Sequence, residues 1–488
     1  MTAQHTSRDN ADFRARAIQV LRDPDLQENF HDAMAFLRNK RKTAFGDEAV
    51  FANLQTESQR IKQRALAHLP DLLETLESRC KTNGIQVHWA ETASDACHLI
   101  QQIIEAHVPH REGQPIRVIK GKSMATEEIG LNAHLESQGM HCLESDMGEF
   151  IVQLAKQTPS HIIMPAIHLR KQEIARLFAE KLSDTPYTED VDQLIGIGRH
   201  VLREQFEQAD VGISGVNFAI AETGTLVLLE NEGNGRLTTT APDLHIAVCG
   251  IEKVIPDLSD LPALLSVLTR SATGQLITTY VNLISSPRKP TEKDGPSAVH
   301  LVMLDNGRSR MYQDSDLQAT LRCIRCGACM NHCPVYTKIG GHAYGSVYPG
   351  PIGQVVMPQI EGLRAHGEMT EACSLNGACG EVCPVGIPLP DLIRRQREMR
   401  AQLPEKIHGR EAWIWRLWSV AYRSPRLYRG WSRLLSTLRF LTPKRLSPWG
   451  PARTLPRPAP RTLHTHMRAH LQAHNTPTDT SRSKTGSP

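Results

Sequence analysis

The chain has 488 residues, 40% hydrophobic and 22% charged, a globular balance that excludes wholesale disorder and leaves room for two to four domains. No stretch of about 18 residues is both apolar and uncharged, which argues against a membrane-spanning helix. The opening MTAQHTSRDNADFRARA lacks the apolar core of a secretory signal, so the expected location is the cytoplasm. The net charge of +4 is unevenly divided. Residues 401–488 hold 16 Lys and Arg against 3 Asp and Glu, and the preceding 400 residues hold 40 against 49.

Residues 1–83 read as a helical region. RARAIQVLRD, FHDAMAFLRNKRKTAF and the run from Glu57 to Arg79 repeat apolar residues every three or four positions. They contain no ligand or nucleophile constellation, and a helical bundle or packing arm is the expected role.

Residues 84–312 alternate strand and helix. GIQVHWA, IRVIKG and SHIIMPAI are predicted strands, and SDACHLIQQIIEAH, Ala125–Gln138 and KQEIARLFAEKL are predicted helices. This alternation predicts a mostly parallel α/β sheet. Short β-rich runs broken by glycine follow, then HIAVCGIEKVI, a buried strand with a short continuation, the helix LPALLSVLTRSA and the strand GQLITTYVNLISS.

Several polar residues in this body are candidates. Lys120-Gly121-Lys122-Ser123 resembles a phosphate loop, but Ile116 stands where that loop needs glycine. Ser123, Thr126, Glu127 and Glu128 are helix-starting residues first and anion-binding candidates second. Glu222, near Asn217 and Thr223, interrupts an apolar stretch. It is a candidate general base or nucleophile, with a hydrogen-bonded turn residue as the commoner role. Gly233-Asn234-Gly235-Arg236 predicts a tight turn between strands whose amides, with Arg236, are placed to grip a carboxylate or phosphate. His168 and His245 are candidates by type alone.

Seven of the eleven cysteines lie between Cys323 and Cys383, inside a helical segment spanning 313–400. Clustered cysteines in a chain without a signal point to metal. Cys323, Cys326, Cys329 and Cys333, followed by Pro334, have the C-x2-C-x2-C-x3-C-P spacing of bacterial [4Fe–4S] ferredoxins. Two-residue gaps let a tight loop aim three thiolates at three irons, while the fourth serves the other cluster. A structural zinc site is the alternative, but zinc motifs generally use separated pairs. The second run, Cys373, Cys379 and Cys383 before Pro384, carries Asn376 at the template cysteine position. By the exchange rule Cys323, Cys326, Cys329 and Cys383 hold one cluster. Cys333, Cys373 and Cys379 hold the other, one ligand short. Three outcomes stay open: a [3Fe–4S] cluster, a [4Fe–4S] cluster with a non-cysteine ligand, or nothing stable.

KGKSMATEEIG (120–130), ESDMG (144–148), PSHIIMPAIH (159–168) and the 212–256 stretch resemble the LUD domain. With the cysteine runs following in order, residues 60 to 400 are similar to the lactate utilisation protein B family. The resemblance implies an α/β fold shared with sugar-phosphate isomerases and CoA transferases, followed by a helical ferredoxin domain with two [4Fe–4S] centres. It also implies an electron-transfer subunit of an L-lactate to pyruvate oxidation system. The implied partners are a cysteine-rich iron–sulfur protein and a second LUD protein. Relatives often carry a cysteine at the position of Asn376, and Cys373 is its candidate replacement. An isomerase- or transferase-type enzyme using Glu222, with regulatory clusters, is the competing reading.

Residues 401–488 form a basic tail, expected to be partly disordered, with five of the six tryptophans. Trp413, Trp415, Trp418 and Trp431 interleave with arginines. This suits peripheral contact of the 401–445 segment with an anionic inner-membrane face or an acidic partner. No nucleic-acid motif accompanies the charge. His466, His470 and His474 share a predicted helix face.

Overall fold

The computed structural model describes residues 13–109, 111–403, 409–442 and 456–474. They divide into two compact units, residues 1–402 and 403–488. The sheet body and the cysteine region therefore belong to one unit.

Ten strands form the centre of the first unit: β1 (Gln86–Ala90), β2 (Arg117–Lys120), β3 (His141–Glu144), β4 (Val211–Gly215), β5 (Phe218–Ile220), β6 (Thr225–Glu230), β7 (Leu244–Gly250), β8 (Val254–Ile255), β9 (Tyr280–Ile284) and β10 (Ala298–Leu304). Six make a sheet in the order β1-β10-β7-β4-β2-β3, and every pair is parallel. The other four make a small sheet, β8-β5-β6-β9, built on the antiparallel β5–β6 hairpin. β7 is buried along its whole length, as expected for an inner parallel strand read from a continuous apolar run. The predicted α/β sheet is thus present. From β2 the chain proceeds outward to β3, whereas β4, β7 and β10 extend the other way. The boundary between β2 and β4 is a topological switch point, where ligands of open α/β sheets bind at the carboxyl ends.

Three predicted elements differ, and the first, Ala125–Gln138, is two helices, Met124–Glu128 and Leu131–Ser137, parted at Gly130, whose φ is 66°. SHIIMPAI is no strand, because the N–H groups of Ile163 and Met164 donate to Nδ1 of His161 and no ladder forms. The Glu57–Arg79 helix breaks at His68, where Pro70 opens a new helix, Leu69–Thr82.

The N-terminal helices Pro24–Phe45 and Glu48–Ala67 start on Asp23 and Asp47, whose side chains accept from Leu26 and Ala49 N–H. Their apolar face packs on the cysteine region, with Phe30, Met34, Leu37 and Ile61 in one core with Cys326, Cys329 and Tyr336. Gln55 donates to the Cys383 carbonyl at 2.7 Å. Among the described residues no helix is long and apolar enough to cross a membrane.

Buried histidines tie the large sheet together. His245 on β7 bonds Ser214 on β4 at 2.8 Å, and His300 on β10 bonds His88 on β1 at 2.9 Å. Burial pushes His245 and His300 down to about 4, against about 6.5 in an unfolded chain. The unfolded state therefore binds more protons below pH 6.5. Stability is expected to be complete above that pH and to fall as pH drops from 6.5 towards 4. A urea midpoint unchanged between pH 7.5 and 5 would contradict this.

Candidate metal centre and the cavity beside it

The two cysteine runs form the same loop twice. Arg325 and Leu375, with φ of 61° and 56°, and Gly327 and Gly377, with φ of 75° and 91°, turn each loop through the left-handed region. The short helices Ala328–Asn331 and Ala378–Glu381 follow. In both loops the backbone donates to cysteine sulfur. Arg325 N–H reaches Cys323 Sγ at 3.4 Å and Leu375 N–H reaches Cys373 Sγ at 3.3 Å. Tyr336 N–H reaches Cys333 Sγ at 3.4 Å and Ile387 N–H reaches Cys383 Sγ at 3.3 Å. Such N–H···S bonds are the donors that ligated thiolates accept.

The structure brings the thiols together across the runs. Cys326 lies close enough to Cys383 and Cys323 to interact electrostatically, and Cys329 to Cys326, Cys323, Cys379 and Cys383. Cys379 interacts with Cys333 and Cys373. Burial pushes the Cys379 thiol up to about 12 and Cys383 up to about 11, so these thiols ionise only against a cation such as bound iron. Among the described residues no three His, Cys, Asp or Glu are placed to hold a single metal ion. A cubane instead takes each thiolate on a different iron.

Three arginines surround the Cys323, Cys326 and Cys383 side. Arg41 interacts with Cys326, Arg322 with Cys383 and Arg325 with Cys323. Arg41 Nε, Arg322 Nη1 and Arg325 Nη1 are buried with no hydrogen-bond acceptor. Unpaired buried guanidinium donors are costly, and cluster sulfur is the kind of acceptor that would satisfy them. The residues present fit a [4Fe–4S] group. The other side differs: Asn376 is exposed, while its counterpart Cys326 is 8% exposed.

The PSHIIMPAIH segment of the α/β body seats this region. Tyr336 Oη donates to the Ser160 carbonyl at 2.6 Å, and His161 Nε2 bonds Asn331 Oδ1 at 2.9 Å. A Cβ on Gly341 would collide with the Ser160 carbonyl, so only glycine admits that approach. His168 is held between Ser160 Oγ at 2.8 Å and Gln157 Oε1 at 2.7 Å, a structural role.

At the switch point lies a cavity of about 320 Å³. Its walls include Lys122 and Ser123 after β2, Asn217 after β4, Glu252 and Lys253 after β7, and Arg325 from the first cysteine loop. Arg308 spans its base. Its guanidinium donates to Glu252 Oε2 at 2.6 Å and to both oxygens of Glu128 at 2.8 Å. Burial alone would raise Glu252, but Arg308, Lys253 and Arg325 hold its carboxyl down at about 2. Tyr348 Oη also donates to Glu128, at 2.7 Å. Lys120 is buried against Glu144 at 2.7 Å and Glu127 at 2.9 Å.

Other sequence candidates fall elsewhere. Glu222 is exposed, accepts from Leu258 N–H at 3.0 Å and does not line the cavity. Its position is that of the turn residue. Gly233–Arg236 is not a turn between strands. Gly233 starts the helix Asn234–Thr240, and Glu230 accepts from Gly233 and Arg236 N–H at 2.5 and 3.1 Å. The amides do grip a carboxylate, but it is the chain's own. Sequence reading missed Arg41, Arg322, Glu252, Lys253 and Arg308. None sits in a motif, and a positive φ at Arg325 cannot be read from its residue type.

In the second unit the helices Gly409–Arg423 and Pro425–Thr437 leave Trp413, Trp415, Trp418 and Trp431 exposed. Trp418 stacks on Tyr422 at 4.3 Å. His466, His470 and His474 fall on the helix Leu463–His474.

The chain matches the family described as LUD domain over residues 73–304, 4Fe-4S dicluster domain over 319–387, and Lactate utilisation protein B, C-terminal, over 394–472. It is 39% identical over 420 residues to "Lactate utilization protein B" of Bacillus velezensis, covering 86% of this chain and 87% of that protein. It is 40% identical over 394 residues to "Uncharacterized electron transport protein YkgF" of Escherichia coli, covering 80% of this chain and 81% of that one. A crystal structure of a DUF162 family protein from Deinococcus radiodurans is 16% identical and covers 48% of this chain and 98% of that one, with a TM-score of 0.27.

Proposed function

The chain belongs to the lactate utilisation protein B family, as an iron–sulfur protein of lactate utilisation, and from that premise we propose that it is the electron-transfer subunit of an L-lactate to pyruvate oxidation system. The supporting observation is the crossed grouping of seven buried or half-buried thiols, with open arginine donors on one side only. Cys323, Cys326, Cys329 and Cys383 would hold a first centre, and Cys333, Cys373 and Cys379 a second. When bound, [4Fe–4S] clusters supply one-electron carriers whose potentials follow burial and hydrogen bonding. The residues of this chain do the rest. The N–H groups of Arg325, Tyr336, Leu375 and Ile387 orient the ligand sulfurs, and the N-terminal helices with the 159–168 segment exclude water. Arg41, Arg322 and Arg325 favour the more negative, reduced state of the first centre.

The partners in this reading are a cysteine-rich iron–sulfur protein and a second LUD protein. The exposed tryptophans of the 401–445 segment support peripheral contact of a cytoplasmic protein with an anionic surface. The enzyme reading based on Glu222 gains no support from its exposed turn position.

Anaerobic purification of the chain with its co-purifying proteins, followed by addition of L-lactate, tests the proposal. Bleaching of the visible iron–sulfur absorbance by L-lactate is expected. Clusters that bleach with dithionite but ignore L-lactate, with partners present, would overturn it.

The second centre has its own test. Asn376→Cys supplies a fourth thiol at an exposed corner. It is expected to raise the iron bound per chain by about one and to slow loss of iron to a chelator. Unchanged iron content and chelator kinetics would show that the corner is already ligated.

A further inference from the structure

The cavity beside the first cysteine loop carries cationic groups whose hydrogen-bond donors its own acids do not all use. Asp146 caps the N–H groups of Gly148 and Glu149. Glu230 accepts from Gly233 and Arg236, and Glu232 from Met147 N–H at 3.2 Å. Arg308 is consumed by Glu128 and Glu252. Lys122 donates to the Ile163 carbonyl at 3.0 Å and lies 3.6 Å from Glu149.

Two cations remain. Lys253 makes no side-chain hydrogen bond or ion pair among the described residues. Arg325 stacks over Tyr348, 4.3 Å from the ring centre, and pairs with Glu252 at 3.6 Å without a hydrogen bond between them. Its buried Nη1 has no acceptor. Both residues line the cavity, and both interact electrostatically with Cys323. The volume, about 320 Å³, is at the small end of ligand sites and has room for a small organic anion together with water. Gly250 at the end of β7 makes room for the Glu252 carboxylate, because a Cβ there would collide with it.

We propose that this cavity binds one small monocarboxylate, held by Lys253 and Arg325, and that the ligand and the first iron–sulfur centre compete for these two cations. The inference rests on the electron-transfer reading and adds a site to it. An electron added beside Cys323 draws on the same positive charge as the carboxylate. The ligand therefore binds the oxidised protein more tightly, and by reciprocity it lowers the midpoint potential of the first centre. A tenfold preference for the oxidised protein corresponds to a shift of about 59 mV for one electron.

The test uses full-length, cluster-loaded protein. Pyruvate, L-lactate, acetate and inorganic phosphate are titrated by calorimetry. Anaerobic redox titration with electron paramagnetic resonance follows the first centre with and without saturating pyruvate, which donates no electrons. One pyruvate per chain is expected, with the midpoint lowered at least as far as a tenfold preference requires. Lys253→Gln should weaken binding at least tenfold and remove the shift, and Lys253→Arg should restore both. Binding of phosphate but not carboxylates overturns the ligand class. Binding unchanged in Lys253→Gln at normal iron content overturns the site. If Lys253→Gln fails to load iron, the natural protein decides alone, since no midpoint shift with pyruvate overturns the proposal. Bleaching by L-lactate without that shift removes this inference and leaves the electron-transfer reading standing. A shift without bleaching does the reverse.

Discussion

Replacing Cys383 by Ser is expected to abolish the signal of the first centre, although Cys383 lies in the second run. Cys326→Ser should abolish the same signal, and Cys333→Ser, from the first run, should abolish the other. The reason is spatial. Cys383 interacts with Cys323, and Cys326 with Cys383, whereas Cys333 interacts with Cys373. The first loop turns three thiols inward through its left-handed residues and the second loop two, with Asn376 at the remaining position, and the cysteine before proline in each points to the neighbouring loop. Electron paramagnetic resonance of each variant, reduced anaerobically, separates the two centres. If Cys383→Ser and Cys373→Ser lose the same signal, the crossed ligation is wrong. All three substitutions should also stop transfer of electrons from L-lactate to an added acceptor, because a chain of carriers fails when either member is missing.

Arg308→Met should destabilise the first unit by about 3–5 kcal/mol, the cost of breaking a buried ion pair by removing one partner. Arg308 is 2% exposed and holds Glu128 and Glu252, both deep in the unit. Without it, two carboxylates remain buried with little compensation, and burial then raises both. Glu128 keeps its bonds to Tyr348 and Asn306, and Glu252 keeps the more distant Arg325. Arg308→Lys should recover part of the loss, since it restores the charge but not the guanidinium fork. Urea unfolding of the three proteins measures this. A midpoint for Arg308→Met equal to that of the natural protein would show that the two carboxylates find other partners. Because Tyr348 and Arg325 adjoin the same network, the variant should also lose iron faster.

What could be read in advance follows the range of the interactions. The cysteine loops were legible because their geometry is local: each N–H···S bond spans two to four residues, and a fixed spacing is sufficient to encode it. The alternation of strand and helix was legible for the same reason, since the burial of β7 needs only a continuous apolar run. SHIIMPAI misled because its apolar residues face the cysteine region rather than a sheet, and His161 takes the backbone donors a ladder would have used. Glu222 misled because an acid within an apolar run need not be buried when the run ends at a turn.

The sequence by itself determined the family, the parallel α/β body, the two cysteine runs and the departure at Asn376, all of which are written in short-range patterns. Only the tertiary structure decided that Glu252, and not Glu222, is among the acids that line the cavity. It alone brought Arg41 beside Cys326 across 285 residues, grouped the thiols across the two runs, and set Lys253 and Arg325 on the wall of one cavity. Those outcomes depend on strand order and on the packing of distant segments, and chain spacing carries no information about which charges finish side by side in a low-dielectric interior.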